Sequence, residues 1–240
     1  MLRPTRPAAL LLIGGALAAL PALAGKPSHP IDTVWKAPDY DAYAPRSIAV
    51  LPVATLDGNL NARRLTETAL VQSMRGTGHR WVSAGISRDE ISDRGGDSLL
   101  KVINDQIVRD VRLDSLQAPV ISRTTHTRAL LCVRVDQFEK RELDFNESGT
   151  PVTSVRVHAA LVDSTGRLLW TAEGAENAEG PYQDANQAAI GVRESGLHNM
   201  PITGQGAAPD YLETLNKLLS RLAAQLPSPP AEASAAPGAK

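Results

Sequence analysis

Residues 152–177 restrict the possible folds of this chain more than any other stretch. Val155, Val157, Ala159 and Leu161 alternate with Arg156 and His158, the period of two that puts one face of a strand against a core. Asp163-Ser164-Thr165-Gly166 supplies a turn in which the glycine takes a positive φ, and Leu168-Leu169-Trp170-Thr171-Ala172 returns as the second strand. A lone hairpin is marginal in water, so this one belongs to a larger sheet.

The remaining elements alternate between strand and helix patterns. Arg46-Ser47-Ile48-Ala49-Val50-Leu51-Pro52-Val53 reads as a strand buried on both faces, which Pro52 ends or places at an edge. Ala62, Leu65, Ala69, Leu70 and Met74 form one face of an amphipathic helix, opposite Arg63, Arg64, Glu67, Gln72 and Arg75, and Gly76 and Gly78 close it. His79 to Ala84 reads as a second strand. A polar connection through Gly95-Gly96 leads to Asp97 or Ser98, either able to cap a helix whose shared face is Leu100, Ile103, Ile107 and Val111. A shorter helix, Ser115 to Thr125, precedes the strand Ala129-Leu130-Leu131-Cys132-Val133-Arg134-Val135. After the hairpin and a long stretch rich in Gly, Pro, Asn and Gln (178–209), Asp210 caps a last helix with Glu213 in capping-box spacing. The order β-α-β-α-α-β-β-β-α predicts an α/β fold: a single domain with one mixed sheet and helices packed on it.

Both ends are expected to lie outside that domain. Arg3 and Arg6, the apolar run Ala8 to Leu20, and Pro21-Ala22-Leu23-Ala24 before Gly25 form a secretory signal peptide, residues 1–24, cleaved after Ala24. The run is shorter than the about 20 residues a spanning helix needs, so no stable membrane insertion is expected. Residues 25–45, with Pro27, Pro30, Pro38 and Pro45, read as an irregular arm whose Trp35, Tyr40 and Tyr43 pack partly on the domain. The domain is then 46–226. Residues 227–240, built mostly from Pro, Ala, Ser and Gly, read as a disordered tail.

Composition narrows the class. A net charge of -1 argues against a nucleic-acid partner, which demands a basic footprint. Aromatic residues are only 4% of the chain, so the core is aliphatic. The single cysteine, Cys132, excludes an internal disulfide and, within an apolar strand, reads as a buried small hydrophobe.

Three patches in order resemble a known group. Ile48-Ala49-Val50-Leu51-Pro52-Val53, Thr127 to Val135, and Ala160-Leu161-Val162-Asp163-Ser164-Thr165-Gly166-Arg167-Leu168-Leu169-Trp170 are similar to motifs of the CsgG, LpoB and TolB N-terminal-like family of bacterial envelope proteins. The resemblance implies this family's fold over about residues 46–226 and an envelope location. The chain departs from it in two ways. No cysteine follows the leader, so the lipid anchor of many relatives cannot form. Residues 86–97 and 178–209 are too polar to be the lipid-facing hairpins of a channel.

The chemistry-bearing residues do not form a familiar catalytic pattern. The histidines (29, 79, 126, 158, 198) lack metalloprotease spacing, and His158 is expected to face solvent. Asp163-Ser164-Thr165-Gly166 has one residue too many for an aspartic-protease motif and no second copy. Gly76-Thr77-Gly78 ends a helix, where a dinucleotide fingerprint opens one. Asp89-Glu90 and the pair Asp136 and Glu139 read as solvated carboxylates. Asn146-Glu147-Ser148 fits a glycosylation sequon that has meaning only in a eukaryotic secretory pathway.

The first reading is therefore a periplasmic accessory protein, not an enzyme, with no cofactor or metal. It acts by contacts with envelope proteins through its sheet edge or through the 178–209 loop, where Tyr182, Arg193, His198 and Met200 are the candidate contact residues. A periplasmic hydrolase acting on envelope polymers is the second reading. A homo-oligomeric envelope assembly is the third.

Overall fold

The computed structural model describes residues 32–144, 146–185 and 207–229. The expected leader, residues 1–24, therefore lies outside the described residues. Five helices, α1 (Tyr40–Tyr43), α2 (Leu60–Ser73), α3 (Ala84–Asp110), α4 (Gln117–Thr124) and α5 (Tyr211–Ala223), accompany seven strands among them. The strands are β1 (Thr33–Lys36), β2 (Ser47–Val50), β3 (Ala54–Thr55), β4 (Arg80–Val82), β5 (Ala129–Arg141), β6 (Val152–Asp163) and β7 (Leu168–Glu179). They form one mixed sheet in the order β1-β7-β6-β5-β2-β4, with β3 also paired to β5. β4, β2 and β5 run parallel, whereas β5, β6, β7 and β1 pair antiparallel. The expected α/β domain with a single mixed sheet is what forms.

Helices cover both faces, which explains the unbroken apolar runs of the central strands. Ile48 and Val50 of β2, with Leu131 and Val133 of β5, face a layer completed by Leu70 of α2 and Leu215, Leu218 and Leu222 of α5. Ala49 and Leu51, with Leu130 and Cys132, face the opposite layer of Ile91, Ile103, Ile107 and Ile121 from α3 and α4. Each fully buried Leu or Ile contributes about 1.5–3 kcal/mol relative to leaving it in water. Trp170 is the one large aromatic of the hairpin and is buried on the α2–α5 side.

The hairpin turn closes as its residues require. Asp163 Oδ1 accepts from the backbone N–H of Thr165 (2.8 Å) and of Arg167 (3.0 Å), and from the Thr165 hydroxyl (2.6 Å). Gly166 sits at φ 85°, and a Cβ there would meet the Asp114 backbone at 2.8 Å, so both conformation and space call for glycine. Asp163 is a turn residue, not half of a carboxylate dyad.

Several boundaries differ from expectation. Thr33–Lys36, assigned to an irregular arm, is an edge strand on β7, and Tyr40 beside it is fully buried. Pro38 lies outside that short strand, where it removes no ladder hydrogen bond. Residues 85–95 are helical, not a polar connection: α3 starts at Ala84, after the Ser83 cap, and buries Ala84, Ser87 and Ile91 at helical spacing. The glycines do mark a break, since Gly96 takes φ 62° and ψ -167° inside α3. Asp210 stands at the N-cap of α5, but its side chain makes no capping bond. Pro227, read as the start of the tail, is bonded to the domain as described below.

Candidate functional site

Three parallel strands begin at the same level: β4 starts on Arg80, and β2 and β5 follow directly on Arg46 and Arg128. The register sets Ser47 beside Arg80 and Ile48 beside Ala129. The Arg80 N–H donates to the Arg46 carbonyl (2.8 Å), and the Arg128 N–H to that of Ser47 (3.3 Å). Arg80 and Arg128 therefore lie level with Ser47 in one row across β4, β2 and β5, with neighbouring strands about 4.8 Å apart, and Arg46 stands one residue before that row. All three are exposed. With His126, the Gly76-Thr77-Gly78 connection and Ser228-Pro229 they line a cleft of about 850 Å³. None of its described lining residues is acidic.

Buried and half-buried aromatic groups hold this rim. His79 places Nδ1 2.8 Å from the Pro45 carbonyl and Nε2 3.0 Å from that of Pro227. The Tyr40 hydroxyl donates to the same Pro227 oxygen (3.2 Å), and the Tyr43 hydroxyl donates to the Arg128 carbonyl (3.0 Å). Trp81 Nε1 donates to the Thr77 hydroxyl (2.9 Å) and so steadies the glycine connection. These contacts position the backbone of the cleft, whose lining arginines are exposed.

A second concavity lies around the corner, between α2 and β4. It holds about 210 Å³ and is lined by Val50, Leu70, Val71, Met74, Trp81 and Ala84, with Glu67, Arg75 and Ser83 at its margins. β4 ends the strand order, so its outer edge has no strand partner among the described residues. Val71 is 45% exposed and Trp81 half-buried, so apolar surface reaches the solvent here. Glu67 is engaged: its Oε1 accepts from the Val53 N–H (3.2 Å) and from Arg88 (2.5 Å).

The residues singled out in the sequence are not brought together. Tyr182 is 68% exposed just beyond β7, next to a buried Gln183 whose amide nitrogen donates to the Asp144 and Glu147 carbonyls. Arg193, His198 and Met200 lie outside the described residues. Cys132 is buried, and that burial pushes its thiol up to about 12. His158, expected to face solvent, is half-buried: Nε2 reaches the Thr171 hydroxyl at 3.0 Å. Burial against β7 lowers its pKa below the usual histidine range, with Glu173 opposing. Asp136 pairs with Arg134 at 2.5 Å. Among the described residues no three His, Cys, Asp or Glu side chains are grouped to hold a metal, and no helix is long and apolar enough to cross a membrane.

Sequence reading overlooked the arginine row. Its signal was present, an arginine at or directly before the start of each of three strands, but positions 46, 80 and 128 become one site only through the strand order.

No family model matches the chain, and no curated protein matches it. Among solved structures it is similar to the lipoprotein GNA1162 of Neisseria meningitidis, at 18% identity and a TM-score of 0.44 over 62% of this chain and 94% of that one. It is similar to a PelC dodecamer subunit of Paraburkholderia phytofirmans, at 16% identity and a TM-score of 0.40 over 80% and 94% of the two chains. It is also similar to the hypothetical protein CT253 of Chlamydia trachomatis, at 11% identity and a TM-score of 0.37 over 75% and 94%. None of these likenesses assigns the chain to a family.

Proposed function

We propose that this chain is a non-catalytic accessory protein of the bacterial cell envelope, exported by its leader, that binds an envelope protein at the β4 edge. One observation carries the reading: a strand edge with no strand partner among the described residues lies beside an apolar groove of about 210 Å³. A partner segment in extended form gains main-chain hydrogen bonds by adding to β4, and an apolar side chain from it fills the groove. Burying the exposed part of Val71 and Trp81 adds about 25 cal/mol per Å² of apolar surface.

The test is site-specific photo-cross-linking in cells. A cross-linker at Val71 is expected to capture one envelope protein, and one at Leu116, exposed on the other side of the sheet, is not. A Val71→Asp change elsewhere in the same assay weakens capture from a cross-linker placed at Ser83. Equal capture from Val71 and Leu116 overturns the reading. Loss of capture only when residues 186–206 are deleted moves the contact to the loop and overturns the edge as its site.

A further inference from the structure

We infer that the cleft at the entry of β4, β2 and β5 is a binding site for a phosphate-bearing anion, held between Arg80 and Arg128. This site is separate from the β4 groove, and it stands whether or not that groove binds a protein.

Three features of the cleft converge on this chemistry. The first is a charge arrangement fixed by the backbone. Arg80 and Arg128 flank Ser47 at one level on the strands either side of β2, so they share a face of the sheet and their Cα atoms are about two strand spacings, or about 10 Å, apart. Long side chains from both sides then reach one anion between them. Among the described residues neither Arg80 nor Arg128 has a carboxylate partner, and no described lining residue is acidic. The charges repel one another at a separation comparable to the Debye length of about 8 Å, and a bound anion relieves that repulsion.

The second feature is the opposite wall. Gly76 and Gly78 take φ of 85° and 84°, so the wall there is backbone with no side chain in the way of a compact ligand. The third is size, since about 850 Å³ accommodates a ligand larger than a single ion.

A phosphate monoester suits this geometry better than a carboxylate does. One guanidinium fork saturates a planar carboxylate, whereas the three acceptor oxygens of a phosphoryl group take forks from two directions. The same group is carried by small phosphorylated solutes and by lipid headgroups.

Calorimetry with inorganic pyrophosphate and flotation with vesicles test the site on the full chain without its leader. The vesicles are phosphatidylcholine with or without phosphatidic acid. Pyrophosphate is expected to bind and to weaken as salt is raised. R80Q and R128Q singly are expected to weaken it about threefold to tenfold, and the double variant more than tenfold. R112Q, an exposed arginine away from the cleft, is expected to leave it unchanged. Binding to pyrophosphate alone identifies a solute site, and added flotation with phosphatidic acid identifies a headgroup site; both support the proposal. Absence of binding to either probe overturns it. So do equal losses in R112Q and the double variant, and so does binding of oligoglutamate without binding of pyrophosphate. All substituted residues are exposed, and circular dichroism confirms that the variants fold.

Discussion

The hydroxyl of Tyr40 donates to the carbonyl of Pro227 at 3.2 Å, tying together residues 187 positions apart. His79 Nε2 meets the same oxygen at 3.0 Å, and a carbonyl has two lone pairs to serve both. The chain leaving α5 is thereby fastened beneath the sheet, and Ser228 and Pro229 become a wall of the arginine cleft.

Removing the phenol tests that fastening. Tyr40→Phe keeps the buried ring and loses one hydrogen bond, for an expected cost of about 1 kcal/mol in urea unfolding. Burial pushes the Tyr40 pKa up to about 12 because a phenolate there would lose its water. The folded value lies above the unfolded one of about 10. The resulting stability is therefore intact below about pH 10 and fades as pH climbs through about 12. Ultraviolet titration is expected to show one tyrosine ionising after the others, and Tyr40→Phe to abolish that late step.

His158 gives the opposite dependence on the acid side. Thr171 already donates its hydroxyl to the Ala159 carbonyl (3.0 Å), so His158 Nε2–H donates to Thr171, and burial disfavours the charged ring. With the folded pKa below the unfolded one, this contribution is present above about pH 6.5 and is lost as pH falls through the folded value. The unfolding midpoint of the parent is expected to drop more than that of His158→Gln between about pH 7.5 and about pH 5.

Cys132 reports on opening of the core. Its thiol is fully buried between β5 and the α3–α4 layer, and burial holds it protonated with a pKa of about 12. A thiol reagent at neutral pH is expected to modify the native protein only as fast as the sheet opens. Modification is expected to be complete within the mixing time in strong denaturant. Rapid labelling under native conditions would contradict the placement.

Gly174 is required by close approach, at an ordinary φ. A Cβ there would lie 2.4 Å from Asp32 Oδ1 and 2.9 Å from Leu218 Cδ1. Asp32 cannot swing aside freely, because Arg221 Nη2 donates to that oxygen (3.0 Å) while Nη1 donates to Glu176 (2.6 Å). Gly174→Ala is expected to cost about 1–3 kcal/mol by overpacking, read from the urea midpoint. Arg221→Met removes the ion-pair partner of the half-buried Asp32 and one partner of Glu176, and is expected to cost about 3 kcal/mol.

The hairpin of β6 and β7 was legible because its period of two, its turn and its glycine all lie within one short stretch. The same holds for α2 and α5, whose apolar stripes repeat at helical spacing. The edge strand β1 was not legible, since four residues carry too little periodicity and become a strand only by pairing with β7. The first half of α3 was hidden for a related reason. Its three buried positions include Ala84 and Ser87, which carry little hydrophobic signal of their own.

By itself the sequence determined the class of fold, the order of its main elements, an aliphatic core and the burial of Cys132. Those follow from local patterns and from which side chains water rejects. Tertiary structure alone decided which strands adjoin, and with that the meeting of Arg46, Arg80 and Arg128 at one rim and of Tyr40, His79 and Pro227 beneath it. Strand order is a long-range choice, made where two faces of a sheet must both be covered, and no local spacing records it.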